Sequence, residues 1–188
     1  MKISACVITK NEEKNIGKWL QEMSAIADEM IVVDTGSTDN TVNMAKRAGA
    51  KVYHFKWIND FAAAKNHAIE QATGDWILFL DADEYFSDET KHNVRNLLKE
   101  HHKNKKVGSI RCRLINIDID NKNKIVDAMV QVRIFRNIPQ IRYRGKVHEN
   151  IFNSGAKTGM IFSDKIEILH TGYSSSILRS KKDRNMKI

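Results

Sequence analysis

The chain has 188 residues, 41% hydrophobic, 29% charged and 7% aromatic, with nine Gly and one Pro, which is the make-up of an ordinary globular domain and excludes collagen-like, Pro-rich and low-complexity classes. A chain of this length buries about 70% of its unfolded surface and needs no staples. A net charge of +8 leaves nucleic acid, an anionic membrane surface and an anionic small substrate as partner classes to separate.

Ile3–Ile8 predicts a buried strand. The charged run Lys10–Lys14 follows at once with no small-residue cleavage site, which argues against a signal peptide. Ile16, Trp19, Leu20, Met23 and Ile26 then recur at helical spacing. Met30–Val33 predicts a second strand. Thr38 or Asp39 can cap a helix with Val42, Ala45 and Ala48 inward and Gly49 at its end. Lys51–Phe55 predicts a third strand. Asp60 can cap a helix carrying Phe61, Ala64, Ala68 and Ile69, with Gly74 beyond it. Trp76–Leu80 is the longest apolar run, far short of the ~20 residues of a spanning helix. It predicts a fourth strand, buried on both faces. Ser87, with Asp88 and Glu89 in the first turn, starts a helix through Val94, Leu97 and Leu98. Residues 107–115 and 124–136 predict an antiparallel pair joined across Asp118–Lys124, with further short strands at 141–152 and 165–169. Cys6 and Cys112 each sit in an apolar run without CxxC spacing, as free thiols of a reducing compartment do.

The order β-α-β-α-β-α-β predicts an α/β fold: a mostly parallel central sheet with helices on both faces, and a small mixed or antiparallel β part in the C-terminal half. The expected organisation is one domain over 1–188. A nucleotide-style half covers 1–100, a catalytic half 101–175 and a basic tail 176–188. In such sheets ligands bind beyond the carboxyl ends of the strands, where strand order reverses. Those ends read Thr9-Lys10-Asn11-Glu12, Asp34-Thr35-Gly36-Ser37 and Asp81-Ala82-Asp83.

Asp81-Ala82-Asp83 carries the strongest chemical signal. Two carboxylates directly after a buried strand stay ionised only with a cation or donors beside them. Hard oxygen ligands suit Mg²⁺ or Mn²⁺. The bland reading is a pair of acids capping the next helix. Asp34 ends the second strand, where an acid can accept from a ribose or a base; turn chemistry explains most of Gly36–Asp39. His170 ends the apolar run Ile166–Leu169 and is a candidate to complete a metal site or touch a diphosphate, although a lone His at a strand end is more often structural. Arg133 would serve near an anionic diphosphate, but a solvated strand face is the simpler expectation.

These elements together resemble glycosyltransferase family 2. Ile8-Thr9-Lys10-Asn11-Glu12-Glu13 looks like that family's opening. Val32–Thr41 is similar to its second motif. Phe61-Ala62-Ala63-Ala64-Lys65-Asn66-His67-Ala68, followed by Gly74–Glu84, is similar to its third. The likeness is strong over residues 1–90 and recognisable at Arg144-Gly145-Lys146-Val147-His148-Glu149 and His170-Thr171-Gly172-Tyr173. It implies the nucleotide-diphosphosugar transferase fold of GT-A type. It implies a nucleotide-sugar donor, by family habit a UDP-sugar, and transfer with inversion. Asp81 would face the ribose and the metal, with Ala82 beside it at the donor, and Asp83 would bind the Mn²⁺ or Mg²⁺ that bridges the diphosphate, with His170 a further candidate ligand. Asp34 would lie against the base with Thr9, Asn11 and Glu12 nearby, and Lys65 would contact the nucleotide. The acceptor hydroxyl must lose a proton, and a carboxylate can take it. Glu149, in the pair His148-Glu149, is the candidate base, with Glu84 the next to test; the bland reading of Glu149 is an ion pair with Arg142, Arg144 or Lys146. The acceptor class stays open among saccharide, lipid-linked and protein acceptors, in the setting of cell-envelope polysaccharide.

Two other enzymes put an acidic pair or this fold class to use. A metal-dependent phosphohydrolase would carry DxD after its first strand, not its fourth. A sugar-nucleotide pyrophosphorylase would want a Gly-rich loop in place of Thr9–Glu12. A non-catalytic nucleotide or nucleic-acid-binding module would interleave aromatics with its basic residues, and the basic stretch 91–113 has none, so no nucleic-acid partner is expected. The expected location is cytoplasmic, with the basic tail able to make a peripheral contact at the inner membrane face. Arg179–Ile188 has no stop signal, and a fragment of a longer protein is the expectation.

Overall fold

The computed structural model of the protein describes residues 1–179; Lys181, Lys182, Arg184 and Lys187 of the expected tail lie outside the described residues. β1 (Ile3–Thr9), β2 (Glu29–Asp34), β3 (Lys51–His54) and β4 (Trp76–Phe79) alternate with α1 (Ile16–Ile26), α2 (Thr41–Arg47) and α3 (Phe61–Glu70), in the order expected. The four strands are parallel and lie in the order β3-β2-β1-β4. Successive side chains of a strand point to opposite faces, and here each face has its own core. Ile3, Ala5, Val7, Trp76 and Leu78 pack with α1, whose Ile16, Trp19, Leu20, Met23 and Ile26 are all buried. Cys6, Ile77 and Phe79 pack on the other face with Ala62, Ala68 and Ile69 of α3. Cys6 and Cys112 are free and buried, and burial pushes both thiols up, Cys112 to about 12.

Asp60 caps α3, its Oδ1 accepting from the Ala63 N–H at 2.9 Å. Asp39 Oδ1 accepts from the Thr41 N–H at the start of α2, and Gly49, at φ +80°, follows its end. The inner face of α2 is Thr41 and Ala45. Ala48 is exposed at the C-cap, because this seven-residue helix stops before a third turn.

The back half contains β5 (Glu84–Phe86), α4 (Val94–His102), β6 (Val107–Asp118), β7 (Lys124–Arg136), β8 (Ile141–Arg144), β9 (Asn150–Asn153) and β10 (Gly159–His170). The eight-stranded sheet continues from β4 as β7-β6-β10-β5, with β7 and β5 reversed relative to the others. β6 and β7 are the expected antiparallel pair. The expected strand over 141–152 is instead a separate ribbon, β8 and β9, with Gly145 (φ +99°) and His148 (φ +56°) turning the chain between them. The short strand expected at 165–169 is the end of a 12-residue β10.

The helix expected from Ser87 is a correction. Glu84–Phe86 pairs with β10, and the Ser87 N–H continues that pairing by donating to the Glu167 carbonyl at 2.9 Å. The α-helix begins only at Val94. Sheet pairing overrides the local capping signal. Among the described residues, no helix is long and apolar enough to cross a membrane.

Glu29 ties the amino end of β2 to its neighbours. Its carboxylate accepts from Ser4 Oγ at 2.6 Å, the Thr73 N–H at 2.7 Å and Lys51 Nζ at 2.8 Å. Burial opposes its charge, but these donors outweigh burial and hold the carboxyl well below the usual range. That stabilisation is present above the ordinary glutamate pKa of about 4.3 and is lost as pH falls through it toward the lowered folded value. Glu29→Gln is expected to cost about 1–3 kcal/mol at pH 7 and progressively less in acid. Urea denaturation of both proteins at neutral and acid pH measures it; a deficit that does not shrink in acid would contradict the ionic origin.

Candidate active site

Chain order reverses between β1 and β4: β1 leads outward to β2 and β3, and β4 returns on its other side. The carboxyl ends of these strands open onto a cleft of about 760 Å³. Thr9, Lys10 and Glu12 line it from β1, and Asp81, Ala82 and Asp83 from β4. Lys65 and Phe61 of α3 stand with Trp57 on one wall. Gln131 and Arg133 of β7, His148 and Glu149 of the β8–β9 turn, and His170 at the end of β10 complete it.

Lys65 is buried at the floor. Its Nζ lies 3.0 Å from Asp81 Oδ1 and 2.8 Å from Glu149 Oε1. The ion-pair partner of Glu149 is therefore Lys65 and not one of the neighbouring Arg142, Arg144 or Lys146. Arg133 faces inward, contrary to the solvated strand face expected for it. Its Nε and Nη2 grip Glu84 at 2.7 and 2.5 Å, and Nη2 lies 3.6 Å from Asp81 Oδ2. Burial would push Asp81 up, but Lys65 and then Arg133 outweigh it and hold the carboxyl at about 2. Burial would likewise lower the Lys65 ammonium; Asp81 foremost, with Tyr143 and Glu149, raises it. Glu84 is only 2% exposed, with both oxygens taken by Arg133 and one also by the Asp81 N–H. It has no oxygen free to act as a base, so the second candidate for that role falls.

The DxD pair divides. Asp81 turns to Lys65 and Arg133, whereas Asp83 turns to His170, whose Nε2 is 3.2 Å from Asp83 Oδ2. Burial disfavours a charged imidazole, but Asp83 outweighs it and raises the His170 pKa. Asp81, Asp83 and His170 therefore do not form a three-ligand set. Among the described residues no three His, Cys, Asp or Glu side chains gather closely enough to hold a metal ion by themselves. Asp83 Oδ2 and His170 Nε2 set one oxygen and one nitrogen atom side by side. Mg²⁺ and Mn²⁺ accept one or two protein ligands when substrate phosphates and water fill the remaining positions, and the pair fits that chemistry.

The first and second strand ends are knit together. Asn11, at φ +58°, accepts from the Thr38 N–H through Oδ1 at 2.7 Å, and Thr35 bonds the Thr9 carbonyl. Asp34 is buried, accepts from the Gly36 and Ser37 N–H groups, and lies 3.6 Å from His54. Thr9, Glu12 and Thr35 line the cleft, whereas Asn11 and Asp34 are not among its lining residues. Burial raises the Glu12 carboxyl, helped by the charges of Asp83, Asp39 and Asp81 and opposed by the Asn15 hydrogen bond.

Residues 4–169 match the family described as Glycosyl transferase family 2. The chain belongs to glycosyltransferase family 2. It is 36% identical over 152 residues to a TPR repeat-containing protein of Synechococcus elongatus, covering 81% of this chain and 36% of that one. It is 32% identical over 190 residues to the SPbeta prophage-derived glycosyltransferase SunS of Bacillus subtilis, covering 99% of this chain and 44% of that one. The chain thus spans less than half the length of these relatives. Among solved structures it resembles glucosyl-3-phosphoglycerate synthase of Mycobacterium tuberculosis, crystallised with Mn²⁺, UDP and glucosyl-3-phosphoglycerate, at TM-score 0.50 and 23% identity, covering 60% of this chain and 44% of that one. That likeness is one of fold, the GT-A fold of an α/β sheet with a small antiparallel ribbon.

The cleft also contains residues to which the sequence patterns gave no role in the site. Trp57 and Phe61 stack edge-to-face at 4.8 Å on its wall, with Trp57 Nε1 fixed on Asn59. An aromatic flanking the Asp60 cap was the available signal. Gln131 had none.

Proposed function

We propose that this domain transfers a sugar from a UDP-sugar to an acceptor hydroxyl with inversion, assisted by Mn²⁺ or Mg²⁺. The observation that carries the reading is the meeting, in one cleft at the switch point, of the Asp83–His170 pair and an ion-paired carboxylate from a separate segment. Asp83 Oδ2 and His170 Nε2 would hold the cation. Bound there, it supplies Lewis-acid neutralisation of the diphosphate, without which a nucleoside diphosphate leaves poorly. Thr9 and Glu12 line the nucleotide side, with Asn11 and Asp34 bracing the turn behind them. Glu149 takes the proton of the acceptor hydroxyl as that oxygen attacks the anomeric carbon; the bond to the diphosphate breaks, and its electron pair stays on the leaving phosphate oxygen. Lys65 holds Glu149 Oε1, which leaves Oε2 to receive the proton.

Calorimetric titration of UDP with Mn²⁺ and with chelator tests the cation. Affinity is expected to fall by more than about tenfold in chelator, a loss of about 1.4 kcal/mol. Equal affinity in both would overturn the assisted reading. Hydrolysis of a panel of nucleotide-sugars identifies the base and sugar, and a preference for a donor other than uridine would replace the UDP assignment.

A further inference from the structure

We propose that Asn116 and Asp127 are positioning residues for His170, a hydrogen-bond chain across three strands that turns the lone pair of Nε2 toward Asp83 and so toward a cation. This rests on the cation reading above.

The three residues stand side by side. Asp127 of β7 is opposite Asn116 of β6, which is opposite His170 of β10. Directly opposed residues of neighbouring strands share a face of the sheet. Asn116 is fully buried. Its Nδ2 donates to Asp127 Oδ1, and its Oδ1 is 2.7 Å from His170 Nδ1. A carboxylate accepts and does not donate, so the amide must present its NH₂ to Asp127. Its carbonyl oxygen then faces the imidazole and can only accept. Nδ1 therefore carries a hydrogen, and a neutral imidazole in that tautomer has its lone pair at Nε2. That atom lies 3.2 Å from Asp83 Oδ2, so an N donor and an O donor face one another.

Gly172 keeps the space around this pair open. A Cβ at residue 172 would lie 2.6 Å from His170 Nε2 and 2.7 Å from Asp83 Oδ2. With the Asn116 amide turned over, the imidazole would carry its hydrogen on Nε2 and donate it to Asp83, closing the site with a hydrogen bond. For the neutral imidazole, the tautomer that leaves this spot open to a cation is thus set two strands away, by an exposed aspartate.

The test uses the 188-residue protein with ¹⁵N-labelled histidine, saturated with UDP. Two-bond ¹H–¹⁵N spectra with Mg²⁺ are expected to show His170 protonated at Nδ1. Mn²⁺ affinity, read from the free-ion paramagnetic resonance signal, is expected to weaken by about 10–100-fold in Asp127→Ala and in Asn116→Leu. The double variant Asn116→Asp/Asp127→Asn exchanges the two groups: the new carboxylate accepts from Nδ1 and the new amide donates to it. Its affinity should return to within about threefold of wild type, a rescue that a merely structural role does not produce. Asp127 is exposed, so its variant keeps the test alive should Asn116→Leu fail to fold. His170→Ala separates the two levels. Unchanged Mn²⁺ affinity there would sink the ligand assignment itself. Loss of affinity there, with Asp127→Ala at wild-type affinity or the double variant no better than the singles, would overturn only the positioning chain.

Discussion

Glu149→Gln is expected to lower the single-turnover rate of sugar transfer by roughly 10²–10⁴, while nucleotide affinity moves by less than about threefold. The substitution keeps the size of the side chain and a carbonyl oxygen for Lys65, but it removes the group that can accept a proton. Nucleotide affinity is expected to be spared because the groups proposed to hold the donor, Asp83, His170, Thr9 and Glu12, come from other segments. The geometry sharpens the alternative. Glu149 is paired with Lys65, which is itself paired with Asp81, so a purely structural glutamate would show its loss as instability. The measurement is therefore transfer per folded molecule, with the folded fraction fixed by denaturation of each sample. A rate within about threefold of wild type would remove Glu149 as the base. Glu84 could not replace it, because Arg133 and the Asp81 N–H occupy its oxygens.

The front half was legible because burial there is local. A short apolar run such as Trp76–Leu80, bounded by Gly74 and Asp81, favours a strand covered on both faces, and Asp60 before an alanine-rich segment favours a helix start. Four such strands with helices between them indicate where the carboxyl ends gather, and Thr9, Asp81 and Asp83 at those ends do line one cleft. What stayed hidden was pairing. The back of the sheet runs β4-β7-β6-β10-β5, so apart from the β6–β7 pair its neighbours are not consecutive in the chain. Arg133 finds Glu84 across 49 residues and His170 finds Asn116 across 54. Periodicity says which residues are inward and is silent on which strand lies alongside. β5 was missed for the same reason: three residues have no period, and only β10 makes Glu84–Phe86 a strand. The resemblance assigned Lys65 to the nucleotide from its place in a motif, whereas its two carboxylate partners come from β4's end and from the β8–β9 turn.

Lys65→Met is expected to destabilise the fold by about 2–3 kcal/mol at neutral pH, below the cost of breaking a fully buried pair, because Asp81 is partly exposed and keeps Arg133 beside it. Methionine fills most of the same volume against Phe79 and Tyr143, whose rings lie 5.2 Å from the ammonium, so the loss reports charge more than a cavity. Asp81 and Glu149 would then share the floor without their cation. The pH dependence follows from the sign of the Asp81 shift. Its folded pKa, about 2, lies below the ordinary value near 3.9, so its pairing stabilises above about pH 4 and is lost as pH falls toward 2. The gap between wild type and Lys65→Met should therefore be widest near neutrality and narrow in acid, where Asp81 takes up a proton and needs no partner. Urea denaturation at pH 7 and near pH 3, beside UDP titrations of both proteins, measures it. If Lys65 acts chiefly on the nucleotide, the variant will keep its stability within about 1 kcal/mol and lose UDP affinity instead. If it is the ammonium that seats the base, stability and transfer rate will fall together, and UDP will bind the remaining folded protein nearly as before.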